Sequence, residues 1–358
     1  HAGISRKLYD AAYAWLGHYR GGLAMATVGA CASFSAICGS TNATAATMAT
    51  VALPEMKRFQ YRDELATGVV AAGGSLGILI PPSVIFIVYG IMTEQSIGKL
   101  FMAGILPGIL LSALFILTIY IWVSINPKMA PRVEKQTFKV KIRSLAGLIE
   151  VLILFVVVMG GLFLGIFTPT EAGAVGALGG VVIPLVRRQL TWQGFLAAIY
   201  SSTLTTCMIL MIVAGATVFG HFLAVTTIPS VLSTWAVGLP LPPWAIMLVV
   251  MFFFFIGGCF MDALGMILLT IPIFFPVAVA LGYDPIWFGV VIVLVTELGV
   301  ITPPVGINVY VVSGIAKDVP LEIIFKGAIP FVLTLLAYLV IMIFFPQIAL
   351  FLPGLAAY

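Results

Sequence analysis

Apolar residues run along this chain in long stretches, each closed by a short charged or proline-containing cluster. Predominantly apolar runs of roughly 18 or more residues are long enough to cross a bilayer as helices. On that pattern residues 101–125, 144–166, 172–186, 192–222 and 327–345 are predicted to be plain spans. Two stretches, 65–92 and 286–315, are interrupted, the first around Gly73–Pro82 and the second at Gly299–Asn308. Proline lacks an amide hydrogen and clashes with the preceding turn, so Pro81-Pro82 and Pro303-Pro304 break their helices. Two more stretches, 21–53 and 244–276, carry a polar or glycine-rich centre, at Gly39–Thr44 and Gly257–Asp262. Each arm beside these centres is short for a span, which predicts two re-entrant helical hairpins. The alternative for the first is one continuous span whose serines and threonines bond back to the helix.

The interruptions repeat. Gly299 follows Gly77 by 222 positions, and the same interval carries Pro54 onto Pro276, Leu76 onto Leu298, Pro81 onto Pro303, Pro82 onto Pro304 and Ile85 onto Ile307. The order hairpin, broken helix, plain span therefore occurs twice. The expected fold is an all-α polytopic membrane protein of two inverted repeats, each with a re-entrant hairpin, a broken helix and a plain span. Residues 1–20 form an amphipathic interfacial segment, 21–125 the first repeat, and 126–143 a basic linker. Residues 144–222 form three connecting spans, 223–345 the second repeat, and 346–358 a tail. His1 opens the chain without a first span, so further N-terminal spans are expected.

Composition narrows the class. The chain is 62% hydrophobic and 8% charged, with a mean hydropathy of +1.19, whereas a soluble domain carries about 25% charged residues. Runs this long also exclude a barrel, whose strands alternate polar and apolar. Charge sets the orientation, because Lys and Arg concentrate on the cytoplasmic side. With 1–20 inside and both hairpins re-entrant, 54–64, 126–143, 187–191 and 316–326 also fall inside, and they hold sixteen of the 17 Lys and Arg, all but Lys99. The uncharged 223–243 segment and the tail then face the periplasm. The net charge of +4 resides in these loops and suggests no nucleic-acid partner. Cys31, Cys38, Cys207 and Cys259 form no C-x-x-C pair, so neither disulfide nor metal site is expected.

Broken helices in corresponding halves point to a transporter's binding site. Half-helix N-termini suit anions, and unwound carbonyls suit small hard cations. One sodium ion is expected between Ser40, Thr41, Asn42 and the turn at Gly74 and Gly77. The other is expected between Gly258, Asp262 and Thr296, Gly299 and Thr302. The anion is expected beside the helix starts after Pro82 and Pro304, near Ser83, Asn308 and Thr44. Asp262 and Glu297 are acids inside apolar runs, where acids are rare and functional by default; for Asp262 the alternative is a structural acid paired to backbone amides. Glu171, after Pro169, reads as a helix cap. His18 and His221 read as interfacial packing, and Phe252–Phe255 as a lipid- or helix-facing surface.

Several motifs resemble one family: Gly73-Gly74-Ser75-Leu76-Gly77-Ile78-Leu79-Ile80-Pro81-Pro82-Ser83, Thr93–Phe101, Gly104-Ile105-Leu106-Pro107-Gly108, Phe167–Ala172 and Gly299–Gly306. Together they are similar to the large membrane subunit of tripartite ATP-independent periplasmic (TRAP) transporters, of the dicarboxylate and sialic-acid type. Gly3–Leu8 resembles a stretch that follows the family's first spans, and Gly39–Thr47 is a variant of a less fixed one. The resemblance implies sodium-coupled uptake of a small organic anion across a bacterial inner membrane by an elevator motion. It implies two partners, a small membrane subunit of about four spans and a periplasmic substrate-binding protein, and no organic cofactor. Two other readings stand beside it. One is an ion-coupled anion symporter of similar fold without a binding protein. The other is an intramembrane hydrolase with Asp262 and Glu297 as a dyad, against which neither acid sits in a protease-like motif. No Walker-type motif is present, in keeping with ion-driven transport.

Overall fold

The computed structural model describes residues 4–131, 137–146 and 148–355. Arg132 and Lys135 of the basic linker, Gly3 and the last three residues of the tail lie outside the described residues. Among the described residues the regular structure is entirely helical.

The first hairpin is formed by α2 (Gly22–Cys38) and α3 (Thr41–Arg58), and α1 (Ile4–Leu16) lies along α2. One face of α1 is buried against the protein, at Leu8, Tyr9 and Ala11. The predicted tip at Gly39–Thr44 contracts to Gly39 and Ser40, because Ser40 caps α3 and Thr41 begins it. Pro54, expected to open a loop, lies inside α3; neighbouring helices satisfy the carbonyl that a proline frees. The first broken helix is α4 (Asp63–Ser75), a short 3-10 turn at Leu76–Ile78, and α5 (Val84–Thr93). A 29-residue span, α6 (Ile97–Ile125), completes the repeat.

Four helices follow: α7 (Phe138–Ala146), α8 (Ile149–Phe163), α9 (Pro169–Val186) and α10 (Trp192–Thr226). The span expected at 144–166 is corrected, since α8 covers 15 residues and α7 is separate and lies against α1. The uncharged segment at 223–243 contains a helix of its own, α11 (Ile228–Val237). The second hairpin is α12 (Pro243–Phe260) and α13 (Ala263–Ala280), with its tip shortened to Met261 and Asp262. The second broken helix is α14 (Pro285–Val300) and α15 (Ile307–Ile315), then α16 (Leu321–Phe344). The tail is helical as α17 (Gln347–Leu355), packed on α6 and α14.

The arms α12 and α13 have 18 residues each, about 27 Å at 1.5 Å per residue. Length alone would let each cross a membrane. Their contacts instead fold them back. Asp262 at the tip meets Asn42 of the first hairpin. The base of α13 leads to Tyr283, stacked 5.1 Å from Trp287, whose indole N–H donates to the Met342 carbonyl at the end of α16. The two hairpins therefore enter from opposite ends and meet at their tips.

Five basic segments gather at the other end. Lys57 pairs with Asp318, and Lys326 with Glu64 at 3.6 Å. The Arg62 N–H donates to the Met129 carbonyl at 3.0 Å. The Trp15 indole donates to the Lys141 carbonyl, and Lys7 to Gln189. Lys99 lies apart, beside Phe167 and Pro169. Between the repeats, α4 crosses α16 with Gly68 against Gly327: a Cβ on Gly68 would overlap the Gly327 backbone, and one on Gly327 would overlap the Glu64 carbonyl oxygen one turn earlier on α4. Such small-residue crossings let membrane helices pack by van der Waals contact.

Candidate functional site

Each tip is seated on the break of its own repeat. A Cβ on Gly77 would overlap the Ser40 carbonyl oxygen and stand 2.9 Å from the Thr44 hydroxyl. Gly299 has the same role in repeat two, where a Cβ would stand 2.7 Å from the Gly258 Cα. Gly74 packs against Ala45, and Gly39 lies over the Pro82 carbonyl. The Gly306 N–H donates to the Cys259 carbonyl at 3.2 Å. Pro81-Pro82 and Pro303-Pro304 are both cis. Ser40, Thr41, Asn42, Gly74 and Gly77 thus come together around the first break, and Gly258, Thr296 and Gly299 around the second. Asp262 belongs less to the second seat than to the contact between tips.

The 222-residue equivalence of Ser40 and Asp262 has a physical form, since both cap the second arm of their hairpin. The Asp262 carboxylate accepts from the Leu264 N–H at 3.1 Å and, on its other oxygen, from the Asn42 side-chain amide at 3.1 Å. The structural alternative for this acid is therefore realised, together with a bond to the other repeat.

A cavity of about 720 Å³ opens beside the joined tips. Three helices begin on its wall: α3 at Thr41–Ala43, α5 at Val84 and Ile85, and α13 at Ala263 and Leu264. The first N–H groups of a helix have no partner within it, and each helix start carries roughly half a positive charge. Three such ends at one cavity favour an anion there, although Ser40, Ser83 and Asp262 each already accept from one N–H of these starts. No Lys, Arg or His is among its lining residues, and Asp262 is the charged one. The fourth wall is α10, which presents Ser201, Ser202, Thr205 and Thr206. The sequence reading passed over these hydroxyls. The signal was Ser201-Ser202-Thr203-Leu204-Thr205-Thr206, a polar patch inside an apolar span.

Of the residues expected to hold the anion, the structure brings none of Asn308, Pro304, Ser83 and Thr44 onto the cavity wall. Asn308 is buried, and its amide donates to the Ala71 carbonyl at 3.2 Å, bracing α15 on α4. Ser83 is buried as the cap of α5, accepting from the Phe86 N–H. Pro304 is exposed away from the cavity. The Thr44 hydroxyl is buried against Gly77. The Thr296 and Thr302 hydroxyls donate back to the Ile292 and Leu298 carbonyls, which leaves their oxygens free to accept. Glu297 is fully buried, and neither carboxyl oxygen has a hydrogen-bond partner among the described residues. Glu171 completes a capping box with Thr168 at the start of α9.

The outer helices are covered differently from the hairpins. Half of the spanning window of α6 is buried, but 11% of that of α9 and of α10. Val186, Met211 and Val218 are each more than 70% exposed. Such a broad apolar face must be covered by lipid or by another membrane protein.

The chain is similar to proteins of known class. The model of the "Tripartite ATP-independent periplasmic transporter, DctM component" family matches residues 1–348. The C4-dicarboxylate TRAP transporter large permease protein DctM of Pseudomonas aeruginosa is 40% identical over 353 residues, which are 98% of this chain and 82% of that protein. The sialic acid large permease SiaM of Vibrio cholerae is 33% identical over 356 residues, 99% of this chain and 82% of that protein. An isethionate permease named DctMQ, from Oleidesulfovibrio alaskensis, is 36% identical over 98% of this chain and 55% of its own length. These relatives are named as transporter permeases, and none as an enzyme, which removes the hydrolase reading. Helices, broken spans and matches agree: the chain belongs to the DctM family, the large multi-pass membrane permeases of the tripartite ATP-independent periplasmic transporters.

Proposed function

We propose that this permease carries a small organic anion, a carboxylate or a sugar acid, through the cavity between the hairpin tips. The observation that carries the reading is the convergence of the α3, α5 and α13 starts on one cavity that has hydroxyls on its α10 wall and no fixed cation. Backbone dipoles hold a carboxylate there, and the α10 hydroxyls orient the rest of it. The relatives named for C4-dicarboxylates and sialic acid support this substrate class.

Coupling is assigned to sodium. Each tip–break seat offers closely spaced carbonyls and hydroxyl oxygens, the donor set of a small hard cation. Ser40, Thr41, Asn42, Gly74 and Gly77 would hold one ion, and Gly258, Thr296, Gly299 and Thr302 the second, with Asp262 lending negative charge from the tip contact. The moving part comprises both hairpins, both broken helices, α6 and α16, and slides as an elevator against α8–α10. The exposed face of those outer helices suits the small membrane subunit, and the relative named DctMQ supports that pairing. A periplasmic binding protein delivers substrate, and the bacterial inner membrane is the location.

The test is uptake by the reconstituted permease with its partner proteins. Imposed sodium gradients should drive accumulation of a labelled monoanionic sugar acid. Two sodium ions per monoanion move one net charge, which gains about 2.3 kcal/mol per 100 mV, about fiftyfold in accumulation. Uptake indifferent to sodium would remove the coupling assignment. Sodium-driven uptake of that monoanion that ignores voltage would reduce two ions to one. Uptake that proceeds without the binding protein would favour the independent symporter.

A further inference from the structure

A second cavity lies at the basic end, remote from the hairpin tips. Its volume is about 680 Å³, and it is enclosed by the starts of α4 and α16 and the end of α6 with the turn that follows. Arg62, Lys128 and Lys326 stand on its rim with Glu64, and Trp122 and Ile329 form its apolar wall. Lys326 is paired to Glu64 at 3.6 Å. Arg62 and Lys128 have no side-chain partner among the described residues, so two positive charges remain uncompensated. Their positions are fixed from below, because the Arg62 N–H is bonded to the Met129 carbonyl, next to Lys128.

The lining is cationic on one side and apolar on the other, and the apolar side does not end at the cavity. Ile329 is 52% exposed and Leu333, one turn further along α16, is 60% exposed. Such a wall runs from the basic rim up the lipid-facing flank of α16. A soluble anion would use the rim and leave that wall bare. A molecule with an anionic head and an acyl chain satisfies both. Basic pockets between spanning helices at this side of a membrane match lipid headgroups.

We propose that this cavity binds an anionic phospholipid of the cytoplasmic leaflet, with its phosphate between Arg62 and Lys128 and an acyl chain along Trp122, Ile329 and Leu333. The lipid then touches both repeats at once, α4 and α6 of the first and α16 of the second.

The test uses the full-length protein in mild detergent, titrated with phosphatidylglycerol, with phosphatidylcholine and with inorganic phosphate. Retained lipid is counted by native mass spectrometry, and the melting temperature is followed in parallel. Phosphatidylglycerol should be retained and should raise the melting temperature, while phosphatidylcholine should do neither. Removing two basic side chains beside an anionic head should weaken retention about thirtyfold in Arg62→Gln/Lys128→Gln. Ile329→Asp, which leaves the basic rim intact, should weaken it as well and covers the case in which the double variant fails to fold. Undiminished retention in either folded variant would overturn the proposal. So would equal protection by inorganic phosphate, which would make this a site for a soluble anion.

Discussion

The side-chain amide of Asn42 donates to the Asp262 carboxylate across 3.1 Å, and so ties together two hairpin tips 220 residues apart. A hydrogen bond to a charged group contributes about 2 kcal/mol. Asn42→Ala and Asp262→Ala should each raise the sodium concentration for half-maximal uptake severalfold, and the double variant should be little worse than Asp262→Ala. Additive effects in this cycle would show that the two residues act separately. An unchanged sodium dependence in Ser40→Ala and Asp262→Ala together would place the ions elsewhere.

The seats of the tips predict an intolerance to one methyl group. Overpacking costs about 1–3 kcal/mol, and at Gly77 and Gly299 the obstacle is backbone rather than a side chain that can turn away. Gly77→Ala and Gly299→Ala should reach the membrane at normal levels and lose at least about tenfold in uptake. The control Gly180→Ala, which has open space around it, should transport normally. Normal uptake by both seat variants would mean that the tips do not need to close on the breaks.

Substrate selection should reside on α10. Ser202→Ala and Thr206→Ala each remove a hydroxyl that faces the cavity, with an expected loss of about 1 kcal/mol, roughly fivefold in substrate affinity. Sodium affinity should not change. Asn308→Ala should behave in the opposite way, because its amide braces α15 on α4. Its melting temperature should fall while substrate affinity at the remaining folded sites holds. Kinetics and thermal unfolding of the same preparations separate the two classes.

Orientation can be read with an impermeant thiol reagent in cells stripped of their outer membrane. A cysteine at Leu241 should be labelled and one at Lys139 protected. The reverse pattern would invert the threading that the lysines and arginines dictate.

The Lys57–Asp318 pair at the basic end gives a pH prediction. The hydrogen bond from Lys57 holds the Asp318 carboxyl below its ordinary value of 3.8. A depressed carboxyl contributes stability above its unfolded value, and loses it as pH falls through the folded one. Asp318→Asn should therefore lower the melting temperature relative to the parent at pH values above 3.8, and the difference should shrink progressively as pH falls below that value. Because both side chains are open to water, the effect should also shrink with salt.

Much of this architecture is legible in the residues, and what is not has identifiable causes. The Pro-Pro breaks and the 222-residue interval mark the repeats, because a missing amide hydrogen ends a helix wherever it falls. Tip lengths were overestimated because a polar run such as Thr41-Asn42-Ala43-Thr44 reads as loop, whereas Ser40 caps a helix that begins at once. Pro54 reads as a stop, yet in a membrane bundle the neighbours of α3 let the helix continue. Asn308 was misplaced because sequence shows that an amide is near a break but not which way it points. The α10 hydroxyls stand out in the sequence as a polar patch, but not as a cavity wall, because the other walls come from α3, α5 and α13 and no local pattern reports that proximity.

The contact of Gly68 with Gly327 has a kinetic meaning. Two gates in series can fail independently, and a carrier with independent gates leaks whenever both are open. Here α4 of one repeat and α16 of the other meet backbone to backbone, with no side chain between them to yield. Neither can travel alone. Under the sodium coupling proposed above, this contact makes the first repeat's seat and the second's parts of one switch: access to the two proposed ion sites would change in a single event, leaving no half-open state through which sodium could run down its gradient.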